Sequence, residues 1–283
     1  MPVRIIDTHV HVWNFDRAEY AWLEGDTTLL NRSYHLEELE EERLKAGVTD
    51  GILVQAANNA EDTEWMLEVA GRTPWICGVV GWLPLMDPDA TETILSEKWN
   101  PYLCGFRHLI HNEPDPRWLL QDRVIKSLRI VAQHNFSFDI VGINNDHLRT
   151  ALELAGKIPD LKMVFDHLNQ PPMKKSEGFG KWGELMKQAA THPVFHAKIS
   201  GLGTASGNFN GWTTEDIRPS IEFVLEQFGQ DRCFCGGDWP VSLLAGDYSA
   251  TWNSYRSILD GLLARDQRAK VYSENAVRFY RLD

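Results

Sequence analysis

Cysteine is scarce in this chain, and so are the features that would mark it as secreted, membrane-spanning or nucleic-acid-binding. Four cysteines occur in 283 residues, Cys77, Cys104, Cys233 and Cys235. They sit in apolar, strand-like runs, and Cys233-x-Cys235 is too tightly spaced for a zinc knuckle, so reduced, buried thiols of a cytoplasmic protein are expected. No apolar run approaches the roughly 20 residues of a membrane span, and "MPVRIIDTHV" lacks the long apolar stretch of a signal peptide. Basic residues are outnumbered, 28 Lys and Arg against 40 Asp and Glu, for a formal charge of −12. That balance argues against nucleic acid or an anionic membrane surface as the main partner. No glycine-rich phosphate loop follows the first strand candidate, which weakens an open, doubly wound sheet. Nothing resembles an interdomain linker, so residues 1–283 are expected to form a single domain.

What the chain does contain is a repeated unit: a short apolar run, a polar loop, then a stretch with helical spacing. The runs lie at 3–9, 51–56, 76–83, 103–110, 136–142, 161–167, 194–201 and 232–239. Most are continuously apolar rather than alternating, as in strands covered on both faces of a parallel sheet. Helical stretches separate most of them; in "LEELEEERLKAG" the spacing predicts Leu36, Leu39 and Leu44 on one buried face, closed by Gly47. Thr213 to Asp216 read as capping residues for a helix through Pro219. Eight strand–helix units in a chain of this length predict an α/β fold, the (β/α)₈ TIM barrel.

In such a barrel chemistry collects at the C-terminal ends of the strands, and polar residues do gather there. The first run ends on His9 and His11, two apart and so on one side of a strand. Such a pair can hold a metal, hold a substrate, or stand as polar residues at a sheet edge. The fourth run carries Arg107 and His108 into "HNEPDP". Arginine is suited to gripping carboxylate or carbonyl oxygens with two parallel hydrogen bonds, Glu113 is a further candidate ligand, and the loop is also explicable as a rigid acidic turn. The sixth run ends on His167, a ligand or oxyanion donor, or else a buried structural histidine. Lys198 on the seventh contacts substrate or forms an interior ion pair. Asp238, in "CFCGGDWP", can act as a base on water, bind a metal or cap the next helix. The two glycines before it let the backbone pass close to a neighbour.

In order along the chain, "DTHVHVW", "GFRHLIHNEPDPRWL", "DHLNQPP", "KISGL" and "GGDWPV" resemble the amidohydrolase superfamily. The resemblance is closest to its aldonolactonase-like branch (amidohydrolase 2), which includes L-fuconolactonases and L-rhamnonolactonases. It runs from residue 7 to about residue 241, and its ordered set of motifs is far more specific than His-x-His alone. It implies a TIM barrel and carries the family's working set onto His9, His11, His167 and Asp238. Members with two metals add a lysine or glutamate after strand four and a histidine after strand five. This chain has Arg107 and His108 at the first place and Asp139 without a histidine at the second, so a binuclear centre is not expected. One Zn²⁺ or other divalent ion, or a metal-independent reaction, fits the pattern.

The resemblance implies hydrolysis of a sugar lactone such as L-fuconolactone or L-rhamnonolactone, with water activated by Asp238. His9, His11 and His167 would stabilise the oxyanion directly or through one metal. Arg107, His108 and Asn112 would grip the substrate's oxygens, and Trp13 and Trp239 would flank its ring. Residues 14–34 are longer than a strand–helix connection needs and are a candidate cover for the pocket, or a surface insertion. Two rival functions stay open: a metal-dependent decarboxylase of an aromatic acid on the same scaffold, and a non-catalytic sugar-acid binding protein. The partner expected is a small molecule, with homo-oligomerisation open and the sugar itself unnamed.

Overall fold

All eight apolar runs form strands. The computed structural model describes residues 3–97, 100–173, 178–209 and 211–282, and the strands are β1 (Ile6–Val10), β2 (Asp50–Val54), β3 (Ile76–Gly81), β4 (Leu103–His108), β5 (Ser137–Ile140), β6 (Met163–Phe165), β7 (Phe195–Ile199) and β8 (Cys233–Cys235). They pair in parallel in sequence order, β1 to β8. Beyond β8 the chain returns to β1: the Asp238 N–H donates to the His9 carbonyl and the His11 N–H to the Trp239 carbonyl, each at 2.7 Å. The ring is therefore drawn together by the two segments that carry the polar motifs. This is the expected (β/α)₈ barrel.

Helices follow the strands: α1 (Glu40–Ala46), α2 (Ala60–Arg72), α3 (Pro88–Glu97), α4 (Asp122–Gln133), α5 (Asn145–Lys157), α6 (Gly180–Ala190), the short α7 (Leu202–Ala205), α8 (Thr214–Phe228) and α9 (Tyr248–Leu262). Side-chain caps satisfy N–H groups left free by the helical pattern. Asn144 accepts from the Asp146 and His147 amides at 2.9 Å, and Thr213 with Asp216 forms the expected capping box of α8.

Two expectations need correction. Leu44 is 61% exposed: Leu36 lies in a separate 3₁₀ turn, Leu36–Glu38, and α1 starts only at Glu40. The break in phase puts Arg43 inward instead, donating to the Val48 carbonyl at 2.6 Å. The helix after β3, α3, has no counterpart among the predicted helical stretches; of its residues only Thr91 is buried, so it lacks the apolar stripe that periodicity detects.

The barrel interior has an apolar lower storey, with Ile6, Ile52, Val54, Val80, Val164 and Phe234 in one cluster with Phe279 and Tyr280. The last two come from a helical run after all eight strands, Arg265–Ala269, Lys270–Glu274 (a π-turn) and Asn275–Tyr280. Above this storey the interior turns polar. Among the described residues no helix is long and apolar enough to cross a membrane. The four cysteines are free thiols, three of them buried.

Candidate active site at the mouth of the barrel

Three imidazoles converge on one carboxylate. The Nε2 atoms of His11, His9 and His167 lie 3.5, 3.8 and 3.9 Å from Asp238 Oδ1. Asp238 holds its place with a left-handed backbone, φ 59°, a conformation Asp tolerates better than most residues. The two glycines before it are explained by what they touch. A Cβ on Gly236 would sit 2.6 Å from that of His9, and one on Gly237 would lie 2.3 Å from the Tyr248 ring and 2.5 Å from Asp7 Oδ2. Any side chain there would push β1 and its histidines away. Asp7 is the clamp: its carboxylate accepts from the amides of His9 at 2.9 Å and Gly237 at 2.7 Å and from the Tyr248 hydroxyl at 2.6 Å.

The contacts of the ring nitrogens bear on what they carry. His11 Nδ1 lies 2.7 Å from the Val54 carbonyl, an acceptor only, so Nδ1 bears a proton. Arg107 Nη1 lies 3.1 Å from His9 Nε2; guanidinium has no lone pair to offer, so that nitrogen accepts. His167 Nδ1 contacts Ser200 Oγ at 2.9 Å. Burial pushes the His9 pKa well below the ordinary imidazole range, Lys198 and His167 adding to the effect against Asp166. Burial likewise lowers that of His167. Both rings are neutral at physiological pH.

His167 also sits on unusual backbone. His167, Leu168, Asn169 and Gln170 all adopt left-handed conformations, φ 52–54°, each costing roughly 1–3 kcal/mol for a non-glycine residue. The turn is tied by the Trp182 indole donating to the Leu168 carbonyl at 2.9 Å and by Asn169 Nδ2 donating to the Asn144 carbonyl at 3.2 Å. Nothing in the local sequence announces this strain.

Below the imidazoles lies a layer of buried charge. Arg107 pairs with Asp166 at 3.0 Å, and Lys198 with Asp166 at 2.8 Å and Asp139 at 2.6 Å. Burial alone would raise the Asp166 pKa, but Lys198, His9 and Arg107 together hold it well below the usual carboxylate range. For Lys198 burial is overcome by the two aspartates, which raise its pKa. The interior ion pair, one of the two readings open for Lys198, is the one found.

A cavity of about 270 Å³ opens above this group. His11, Arg107, His167 and Asp238 face it together with His111, Gln170 and Thr204; Trp13, Trp22, Leu109, Val141 and Ile143 form much of its apolar wall. Trp22 comes from the 14–34 segment, where its indole donates to the Ala56 carbonyl at 2.8 Å. That segment thus builds part of the wall.

A family model described as Amidohydrolase matches residues 6–282. The chain belongs to the amidohydrolase family. Among curated relatives, an L-fucono-1,5-lactonase of Burkholderia ambifaria is 32% identical over 98% of this chain and 96% of its own. A second protein of that name, from Burkholderia multivorans, is 26% identical over 98% and 96%. The crystal structure of a Burkholderia multivorans amidohydrolase with bound zinc has the same fold, with a TM-score of 0.91 at 24% identity, covering 99% of this chain and all of that one.

In this amidohydrolase, His9, His167 and Asp238 each offer a ligand atom, all within 4.8 Å of one another. Imidazole nitrogens and a carboxylate oxygen gathered this closely form a donor set that fits a divalent cation. His11 stands beside this trio. Other predicted residues lie elsewhere. His108 stacks on Trp118 with ring centroids 4.0 Å apart, and its Nε2 is 2.7 Å from Glu113. Trp239 meets Tyr34 edge-on at 5.4 Å. His108, Asn112, Glu113 and Trp239 are all missing from the cavity lining. The reason for His108 is strand parity: its neighbours Arg107 and Leu109 both face the cavity, so it turns away. The residues that sequence reading missed, Trp22, His111, Gln170 and Thr204, come from loops and short turns, where no periodicity gives direction.

Proposed function

We propose that this protein is a lactonase that opens a sugar (aldono) lactone of the L-fucono-1,5-lactone type. The observation that carries this reading is the convergence of three imidazoles on the Asp238 carboxylate in a cavity that Arg107 also lines, suited to a single sugar ring. The cavity lies just below the roughly 300–1,000 Å³ usual for larger ligands. The B. ambifaria relative supports it at the level of the whole chain.

Asp238 is the base. Its carboxylate takes a proton from water as the water oxygen bonds to the lactone carbonyl carbon, and the carbonyl electron pair moves onto oxygen. Arg107, a cation lining the cavity, would hold that oxyanion. As the carbonyl re-forms, the ring C–O bond breaks and protonated Asp238 returns its proton to the departing alkoxide, giving the hydroxy acid. His9 Nε2 accepts from Arg107 and so does not itself donate to the oxyanion. His9, His167 and Asp238 would hold Zn²⁺, an ion matched to nitrogen and carboxylate ligands, which when bound supplies Lewis acidity at the carbonyl. Trp13 and Trp22 would flank the sugar ring.

A panel of sugar lactones followed by proton release, with and without chelator, tests this. L-Fuconolactone is expected to open, with activity lost to chelator and restored by Zn²⁺. Carbon dioxide released from an aromatic acid, or sugar acids bound with no lactone opened, would reject the lactonase reading.

A further inference from the structure

A second cavity, of about 410 Å³ and larger than the one at the mouth, lies at the opposite end of the barrel. It is enclosed by Val3 and Ile5, just ahead of β1, by Arg256 and Asp260 on α9, and by Arg265, Arg268 and Tyr272 on the helical run that follows. Three guanidiniums face one carboxylate there. Two positive charges are left uncompensated, in a chain whose formal charge is −12. Cations gathered on one concave wall repel one another and draw in anions.

The donors of this group outnumber their acceptors. Asp260 is taken by Arg268, and one nitrogen of Arg256 donates to the Ala46 carbonyl. Arg265 is exposed and has no hydrogen-bond or ion-pair partner among the described residues. Tyr272 is only 5% exposed, and its hydroxyl is buried without a hydrogen-bond partner among them. Burial raises the Tyr272 pKa, with Cys235 and Asp260 adding to the effect and Arg256 and Arg268 opposing it, so both guanidiniums stand within electrostatic reach of that hydroxyl. Lactone opening at the mouth uses none of these residues.

We propose that this cavity at the floor of the barrel binds a small phosphate monoester. A phosphate monoester carries a charge of about −1.5 to −2 at pH 7, which matches the two uncompensated positive charges; a single carboxylate matches half of them. Guanidinium forks suit phosphate oxygens in geometry as well as charge. The volume falls within the roughly 300–1,000 Å³ of small-molecule sites, leaving room for an organic part against Val3 and Ile5. A bound ester ties the chain ahead of β1 to α9 and to the helical run. That run also carries Tyr280, whose hydroxyl donates to Asp139 at 2.7 Å, so the ligand stabilises the closed floor by mass action. Neither the binding nor the stabilisation depends on the lactonase reading.

The test adds glycerol 3-phosphate to the full chain and follows calorimetry and thermal unfolding. One molecule per chain is expected to bind saturably and to raise Tm, whereas sodium chloride at equal ionic strength does not. Arg265→Gln, at an exposed position without partners, should unfold like the parent in the absence of ligand and bind the ester about ten-fold more weakly. Arg265→Gln/Arg268→Gln should bind it more weakly still. Asp238→Asn, at the far end of the barrel, should bind it as the parent does. Glycerate, with one carboxylate in place of the phosphate, should bind about ten-fold more weakly than the ester. Absence of saturable binding, or undiminished binding by Arg265→Gln, overturns the proposal. Loss of binding in Asp238→Asn overturns it too, by moving the ester to the mouth. Glycerate bound as tightly as the ester would overturn the assignment to phosphate.

Discussion

One barrel encloses two interiors. In the lower storey Ile52, Val54, Val80, Val164 and Phe234 pack against Phe279 and Tyr280; a step higher, β4, β5 and β7 and the residue just past β6 present Arg107, Asp139, Lys198 and Asp166, all buried. On β6 the change takes two residues, from Val164 to Asp166, and on β7 two, from His196 to Lys198. The lower storey is held by contact area, which tolerates small rearrangement. The upper one is held by matched charges, which are costly to separate once water is excluded. Placing two cations and two anions in alternation keeps the upper storey neutral and its side chains fixed, as a catalytic group requires.

The largest expected effect breaks the upper storey alone. Asp238→Asn keeps shape and removes the base, and should lower lactone kcat by about 10²–10⁴-fold with thermal unfolding close to the parent's; normal turnover would remove Asp238 from that role. Next comes damage confined to the lower storey. Phe279→Ala deletes a buried ring packed on His196 and Phe234, with centroids 4.5 and 5.4 Å apart, and should cost about 3–5 kcal/mol in denaturant unfolding. Activity per folded molecule should be preserved; a proportionate fall would mean that the two storeys are not separable. The smallest effect belongs outside both. Leu44→Lys, on an exposed face of α1, should shift stability by no more than about 0.5 kcal/mol, whereas burial of Leu44 would make the same change severe.

Much of this architecture was legible because strands buried on both faces write themselves as apolar runs, and all eight did. The corners of the site were legible too, because His9, His11, His167 and Asp238 stand at or just beyond strand ends, where a barrel's chemistry must lie. What failed to show follows from two physical facts. Period-two direction cannot be counted reliably through a strand end, which is how His108 was paired with Arg107 although they point opposite ways. Trp22, on a 3₁₀ turn, and Thr204, on the four-residue α7, reach the cavity by tertiary placement alone. The His167–Gln170 turn was hidden for a related reason: its left-handed backbone is held from outside by Trp182 and Asn144, not by its own residue types. Helix α3 was missed because it buries so little.

The Tyr280 hydroxyl on Asp139 has a bearing on the order of assembly. Chain synthesis delivers all eight strands, and both aspartates and both cations of the upper storey, before Tyr280 exists. Until the helical run at 265–280 docks, the floor of the barrel is open to water and Asp139 lacks its anchor. The site at the mouth is therefore completed from the opposite end, by a segment that never approaches the substrate.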